Sequence, residues 1–199
     1  MARLIGTVVL MIAVVALTAG CNVSSDPQRM IAKAQEYREK SNYKAAIIEL
    51  KNVLQKDSGH AEARYLLGIT YYDSRDYRLA EQELRRALEL NYDRTKAMPA
   101  LGKSILMLGD FQKVLDQVPL EEQASNTVQA EILTLRARAL MGLGRSSQAR
   151  ELIEQALGKQ PEFADALVEQ ARLAAGDKKL DESARLIERA IASAPKHVD

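Results

Sequence analysis

The chain has no tryptophan, two phenylalanines and seven tyrosines in 199 residues, so its aromatic content of 5% fits poorly with an aromatic-rich sandwich or barrel. A single cysteine, Cys21, excludes an internal disulfide. Two histidines, His60 and His197, are far apart in sequence and leave neither a metal-ligand cluster nor the parts of a catalytic triad. Neither sign of charge dominates: 28 Lys+Arg against 27 Asp+Glu give +1, which points to no nucleic acid or polyanionic surface. No glycine-rich phosphate loop is present, because MGLGR at Met141 to Arg145 reads as a turn between helices. Glu121-Glu122 are adjacent and point apart, as a solvated pair does and an acid/base pair does not. The expectation is a protein without cofactor or metal and without catalysis.

A hydrophobic run long enough to span a bilayer is also missing. After Arg3 comes LIGTVVLMIAVVALTA, sixteen residues, where a spanning helix wants about twenty. A short positive start, an apolar run and small residues before a cut describe a signal peptide better than an anchor helix. The run ends in LTAGC, with Ala19 and Gly20 small and Cys21 next, and this resembles a bacterial lipobox. Leu17 stands four residues before the cysteine, and Thr18 occupies the place where that pattern most often has leucine. The alternative is an ordinary secretory signal with an incidental cysteine, although a free thiol in an oxidising compartment is a hazard. The resemblance implies cleavage before Cys21 and a diacylglycerol on its thiol. Residues 1–20 are then a lipoprotein signal peptide and 21–26 a lipidated tether. Asn22, where an Asp tends to retain lipoproteins at the inner membrane, implies the periplasmic face of the outer membrane.

The rest of the chain is periodic. A small residue recurs at Ala34, Gly68, Gly102, Ala137 and Ala171, in steps of 34, 34, 35 and 34. A second column, Ala46, Ala80, Val114, Ala149 and Ser183, has the same steps, as does Tyr43, Tyr77, Phe111, Ser146 and Leu180. A late column of Val53, Ala87, Ala156 and Ala190 has no member in the third repeat. Turn residues interrupt each unit at Ser41-Asn42, Ser74-Arg75-Asp76, Gly109-Asp110, Gly144-Arg145-Ser146 and Gly176-Asp177-Lys178. A helix-turn-helix of this period, with small residues where helices must approach closely, is the tetratricopeptide (TPR) pattern. The predicted fold is all-α: a TPR helical-hairpin solenoid of about five repeats over residues 27–199, near 27–60, 61–94, 95–129, 130–163 and 164–197. Asp26-Pro27 supplies the start, an N-cap followed by proline at the first helical position.

The third repeat departs from the pattern, because its second helix, QKVLDQVP, meets Pro119 early and an irregularity is expected between Val114 and Thr127. The lipobox, YKAAIIELKNVLQKD, AEARYLLGITYYDSRDYRLAEQELRRALEL and the shortened GDFQKVLDQVPL together resemble the N-terminal part of the TPR-repeat lipoproteins of the PEP-CTERM/exosortase system. That resemblance implies a role in surface-polymer or exported-protein assembly at the cell envelope, and it carries no catalytic residues.

Function is therefore expected on the concave surface. The residue after each first-helix small residue should face it: Gln35, Ile69, Lys103, Arg138 and Arg172, with Arg38, Tyr65 and Tyr72 one turn away. This gives an aromatic and apolar N-terminal half and a row of cations C-terminally, which either bind carboxylates or keep the inner face soluble. Of the pair Tyr71-Tyr72, one ring is expected in the core and one in the groove. A protein or peptide partner in the envelope is expected, with an acidic exopolysaccharide as the alternative and no nucleic acid. Exchange of Arg138 and Arg172 for glutamate is expected to weaken an acidic ligand at little cost in stability. Finally, PKHVD at Pro195 lines up with PEFAD at Pro161, where the fifth repeat begins, so a continuing array is expected after Asp199, with Leu186, Ile187, Ala190 and Ile191 forming the stripe it would cover.

Overall fold

A computed structural model describes residues 26–193, which form ten α-helices joined by turns and loops, with no strand among them. Cys21 and the lipobox, and the closing PKHVD with His197, lie outside the described residues. The chain divides into two compact units, one ending at Ser58 and one beginning at Gly59.

The first unit is one helical hairpin, α1 (Pro27–Glu39) and α2 (Tyr43–Lys56). Asp26 caps α1, its Oδ1 accepting the Gln28 amide at 3.0 Å, and Pro27 takes the position where no donor is needed. Ser41 turns the chain with φ 55°, and Asn42 caps α2 through the Ala45 amide. Ile31 and Ala34 of α1, and Ala46, Leu50 and Val53 of α2, are almost wholly buried. Lys33 and Glu49 pair at 2.5 Å across the hairpin. Of the expected groove residues here, Gln35 is exposed and Arg38 half-buried.

The second unit is four hairpins: α3 (Ala61–Asp73) with α4 (Tyr77–Glu89), α5 (Arg94–Met107) with α6 (Phe111–Gln117), α7 (Asn126–Gly142) with α8 (Ser146–Lys159), and α9 (Ala164–Gly176) with α10 (Leu180–Ser193). Tyr43, Tyr77, Phe111, Ser146 and Leu180 each open the second helix of their hairpin. The residue in the left-handed region before each of those helices is Ser41, Arg75, Gly109, Gly144 and Lys178, so the backbone repeats with the period of the sequence. Only two of the five are glycine, so the hairpin closure holds the other three in a conformation that side chains resist.

The small-residue column does what close packing demands. A Cβ on Gly68 would stand 2.6 Å from Leu84 Cγ and 3.2 Å from the Leu84 nitrogen, so α3 and α4 meet only because that atom is missing. Successive first helices touch (α3 with α5, α5 with α7, α7 with α9), and each second helix meets the next first helix. The second helices stand farther apart and meet through long side chains, Lys113 of α6 reaching Glu81 of α4 at 2.5 Å. The stack of this unit is therefore tighter on the side of the first helices, which line its inner face.

The third hairpin differs in a defined way. Its second helix, α6, has seven residues where α4 has thirteen, and it stops two residues before Pro119. Its exposed carbonyl ends are taken up by Arg136 of α7, whose Nη1 donates to Leu115 O at 2.8 Å and Val118 O at 2.9 Å. Gln129 Nε2 donates to the carbonyls of Glu122 and Ala124 and fixes the connecting loop. Val118, fully buried, packs against Gly102, where an added Cβ would lie 3.3 Å from its Cγ1. The following helix begins at Asn126, four residues ahead of the repeat boundary drawn from the sequence at residue 130.

Candidate functional site

Of the residues expected on the inner face of the second unit, Tyr65, Ile69 and Tyr72 lie on α3, Lys103 on α5, Arg138 on α7 and Arg172 on α9. Tyr65 and Ile69 are half-buried against the core that contains Leu101, Ile105 and Ile132. Tyr65 stacks on Tyr92, with ring centroids 4.6 Å apart and planes at 19°. Burial, with the neighbouring Tyr65, Glu62 and Asp93 charges, pushes the Tyr92 phenol up to about 12. Tyr71 is buried and Tyr72 half-buried, so the pair divides between core and inner face. Tyr72 packs at a tilt on Tyr77, 5.5 Å between centroids. Burial raises the Tyr72 phenol, and the nearby Lys103 and Arg138 charges oppose that shift.

The cations are not a bare row. Lys103 Nζ meets Glu131 of α7 at 2.5 Å. Burial alone would lower the Lys103 ammonium, but the Glu131 hydrogen bond and charge, with Asp165 and Tyr72 beyond, raise it above its ordinary value. Arg138 Nε donates to Glu169 Oε1 of α9 at 2.5 Å, and Arg172 Nη1 stands 3.3 Å from Glu169 Oε2. Glu169 has no exposed side-chain surface, and its Oε2 has no hydrogen-bond donor among the described residues. This corrects the expectation that Arg138 and Arg172 can both be reversed cheaply: the reversal would leave a buried carboxylate facing two more. The Lys103–Glu131 and Arg138–Glu169 pairs bridge successive first helices, so they also hold the stack together.

Sequence reasoning missed Glu131, Glu169 and Asp165, although a signal for the first two was present. Glu131 lies two turns before Arg138 on the same helical face, and Glu169 stands three residues before Arg172, the spacing of an intrahelical ion pair. It also missed an apolar hollow of about 500 Å³ beside the arginines, lined by Leu106, Met107, Phe111, Met141 and Gly142 together with Arg138 and Arg172. Gly142 makes room for the Phe111 ring, since a Cβ there would lie 2.6 Å from it.

His60 does structural work: its Nδ1 accepts the Ala63 amide at 3.3 Å as the N-cap of α3. Glu121 accepts from Arg94 at 2.8 Å, and Glu122 is exposed in the loop. Among the described residues no group of three His, Cys, Asp or Glu side chains converges as a metal site, and no helix is long and apolar enough to cross a membrane.

Comparison with known proteins agrees with this architecture. Two tetratricopeptide-repeat family profiles match, one over residues 37–101 and the other over residues 134–198. The chain is a tetratricopeptide-repeat protein, built as a solenoid of helical hairpins. Among solved structures it is similar to MamA, at 24% identity over 80% of this chain and 93% of that one, with a TM-score of 0.64. YrrB, described as a TPR protein with an unusual peptide-binding site, is 20% identical over 88% of this chain and 90% of that one, with a TM-score of 0.60. PilF of Pseudomonas aeruginosa is 15% identical over 86% and 78%, with a TM-score of 0.68. No curated protein sequence matches. Tetratricopeptide domains bind protein or peptide partners and are generally non-catalytic scaffolds.

Proposed function

We propose that this protein is a non-catalytic lipoprotein scaffold of the cell envelope that holds a protein partner on the inner face of its second unit. The observation that carries the binding part is the convergence of Tyr72, Lys103, Arg138 and Arg172 from four neighbouring helices beside an apolar hollow. Such a face offers rings for stacking, guanidinium forks for carboxylates and a recess for an apolar side chain. The envelope part rests on the LTAGC lipobox with Cys21 as the lipidated residue and Asn22 after it. The place in PEP-CTERM/exosortase-linked export or exopolysaccharide assembly rests on the resemblance of the lipobox and the shortened third hairpin. A polymer-binding module for an acidic exopolysaccharide is the weaker reading. A continuous polyanion favours an unneutralised cationic track, and Lys103 and Arg138 already face carboxylates.

Site-specific photocrosslinking in cells from position 72 or 103, against position 82 on the exposed face of α4, tests the binding part. A defined protein captured from the inner face only supports it, whereas capture of polysaccharide or equal capture from both faces refutes it. The anchor is tested separately by Cys21→Ser, which should leave the precursor uncleaved and abolish incorporation of labelled fatty acid. A wild-type product without acyl label refutes the lipoprotein assignment.

A further inference from the structure

The hollow at the turn end of α5 and α7 has a chemistry more specific than a general protein-binding groove. Its apolar walls are Leu106, Met107, Phe111 and Met141, with Met107 half exposed. Methionine walls adapt to differently shaped apolar side chains. On one side stand two guanidinium groups, Arg138 and Arg172, and no acidic residue is among the lining side chains. The one carboxylate between them, Glu169, is fully buried beneath. Two positive charges against one buried negative leave the rim with an excess of one positive charge. Arg138 spends its Nε on Glu169, and its two terminal nitrogens make no hydrogen bond among the described residues. Arg172 reaches Glu169 only by the 3.3 Å approach of Nη1, and its side chain is 63% exposed. The arrangement is an apolar recess with unspent, fork-shaped donors at its edge.

We infer that this hollow receives an extended segment of the partner protein in which a large apolar side chain stands next to an aspartate or glutamate: the apolar group enters between Met107 and Met141, and the carboxylate meets Arg138 and Arg172. The inference rests on the groove reading above and deepens it by naming the recognised chemistry. A bidentate guanidinium contact needs two acceptor oxygens, and a glutamine offers one beside a donor NH2, so the glutamine counterpart of the same segment binds less well.

Amide spectra of the isotope-labelled full chain in detergent micelles, titrated with the blocked peptides Gly-Ser-Phe-Glu-Ser-Gly, its Gln variant and its Ala-for-Phe variant, test this. The Phe-Glu peptide is expected to move the signals of Met107, Met141 and Gly142 and to bind at least fivefold more tightly than either variant. Arg172→Gln is expected to abolish the preference for Glu over Gln while the apolar contact persists. Met107→Glu, at an exposed position, is expected to abolish binding while the remaining spectrum is unchanged. Equal binding of the Glu and Gln peptides, indifference to Met107→Glu, or no movement at millimolar peptide would overturn the inference. So would an acidic polysaccharide, polygalacturonate, moving the same signals more strongly than the peptide. If photocrosslinking from positions 72 and 103 captures a protein while the peptides leave the hollow untouched, the groove reading stands and this inference alone falls.

Discussion

Arg138→Met should cost about 2 kcal/mol of stability, and the size follows from what it leaves behind. Glu169 has no exposed side-chain surface, and among the described residues its only hydrogen bond from a side chain is the 2.5 Å contact from Arg138 Nε. Removing one partner of a buried pair costs roughly 3–5 kcal/mol when nothing compensates. Here Arg172 remains 3.3 Å away, and Arg138 is itself 29% exposed, so about half of that range applies. For a chain of this size the change lowers Tm by roughly 4–8 °C. Arg172→Met, which removes the more solvated partner, should cost under about 1 kcal/mol. The double variant Arg138→Met with Glu169→Met removes the stranded charge and should recover most of the loss, a coupling of about 1–2 kcal/mol in a double-mutant cycle. Urea unfolding followed by circular dichroism measures the wild type, Arg138→Met, Arg172→Met, Glu169→Met and the double variant. The reasoning is refuted if Arg172→Met costs as much as Arg138→Met, or if the double variant is no more stable than Arg138→Met alone.

Arg136→Met should uncap the shortened α6, at about 1–2 kcal/mol, and amide exchange should rise first at residues 118–125. Gly68→Ala should destabilise by about 1–3 kcal/mol because its Cβ has no room beside Leu84, while Gly158→Ala, with nothing within 4 Å, should stabilise by up to about 1 kcal/mol; thermal melts compare them. Alkaline difference spectra should show one tyrosine ionising near pH 12, lost in Tyr92→Phe. That phenol lies higher folded than its ordinary 10.0, so the stability it contributes is present below pH 10 and lost as pH rises toward 12.

The helical hairpins were legible because their period is a steric requirement. Ala46, Ala80, Val114 and Ala149 are all fully buried, since the same crowding recurs in the first four hairpins and admits only small or slim side chains. Asp26-Pro27 marked the start of α1 for an equally local reason, the unsatisfied donors of a first turn. The third hairpin was legible only as an irregularity. Pro119 announces that α6 must stop, but the arginine that accepts the burden of its free carbonyls comes from the next repeat, and no local rule points to Arg136. The inner-face residues were read by position, which places Lys103, Arg138 and Arg172 on one face of their helices. Spacing along one helix marks Glu131 and Glu169 as inner-face carboxylates, but it does not reveal that the neighbouring helix presents Lys103 to the one and Arg138 to the other.

Those two carboxylates change what the inner face can do. Lys103 with Glu131 and Arg138 with Glu169 each join one first helix to the next, so the residues best placed to meet a ligand also clamp successive hairpins. A ligand that took over Lys103 entirely would have to replace a 2.5 Å partner, and exchange of one carboxylate for another gains little. The free capacity lies where the pairing is incomplete, at the terminal nitrogens of Arg138 and along the exposed Arg172, and that is also where the apolar hollow opens. Binding there adds a carboxylate to an existing excess of positive charge without breaking a clamp, so recognition at this end of the face is compatible with an intact stack of hairpins.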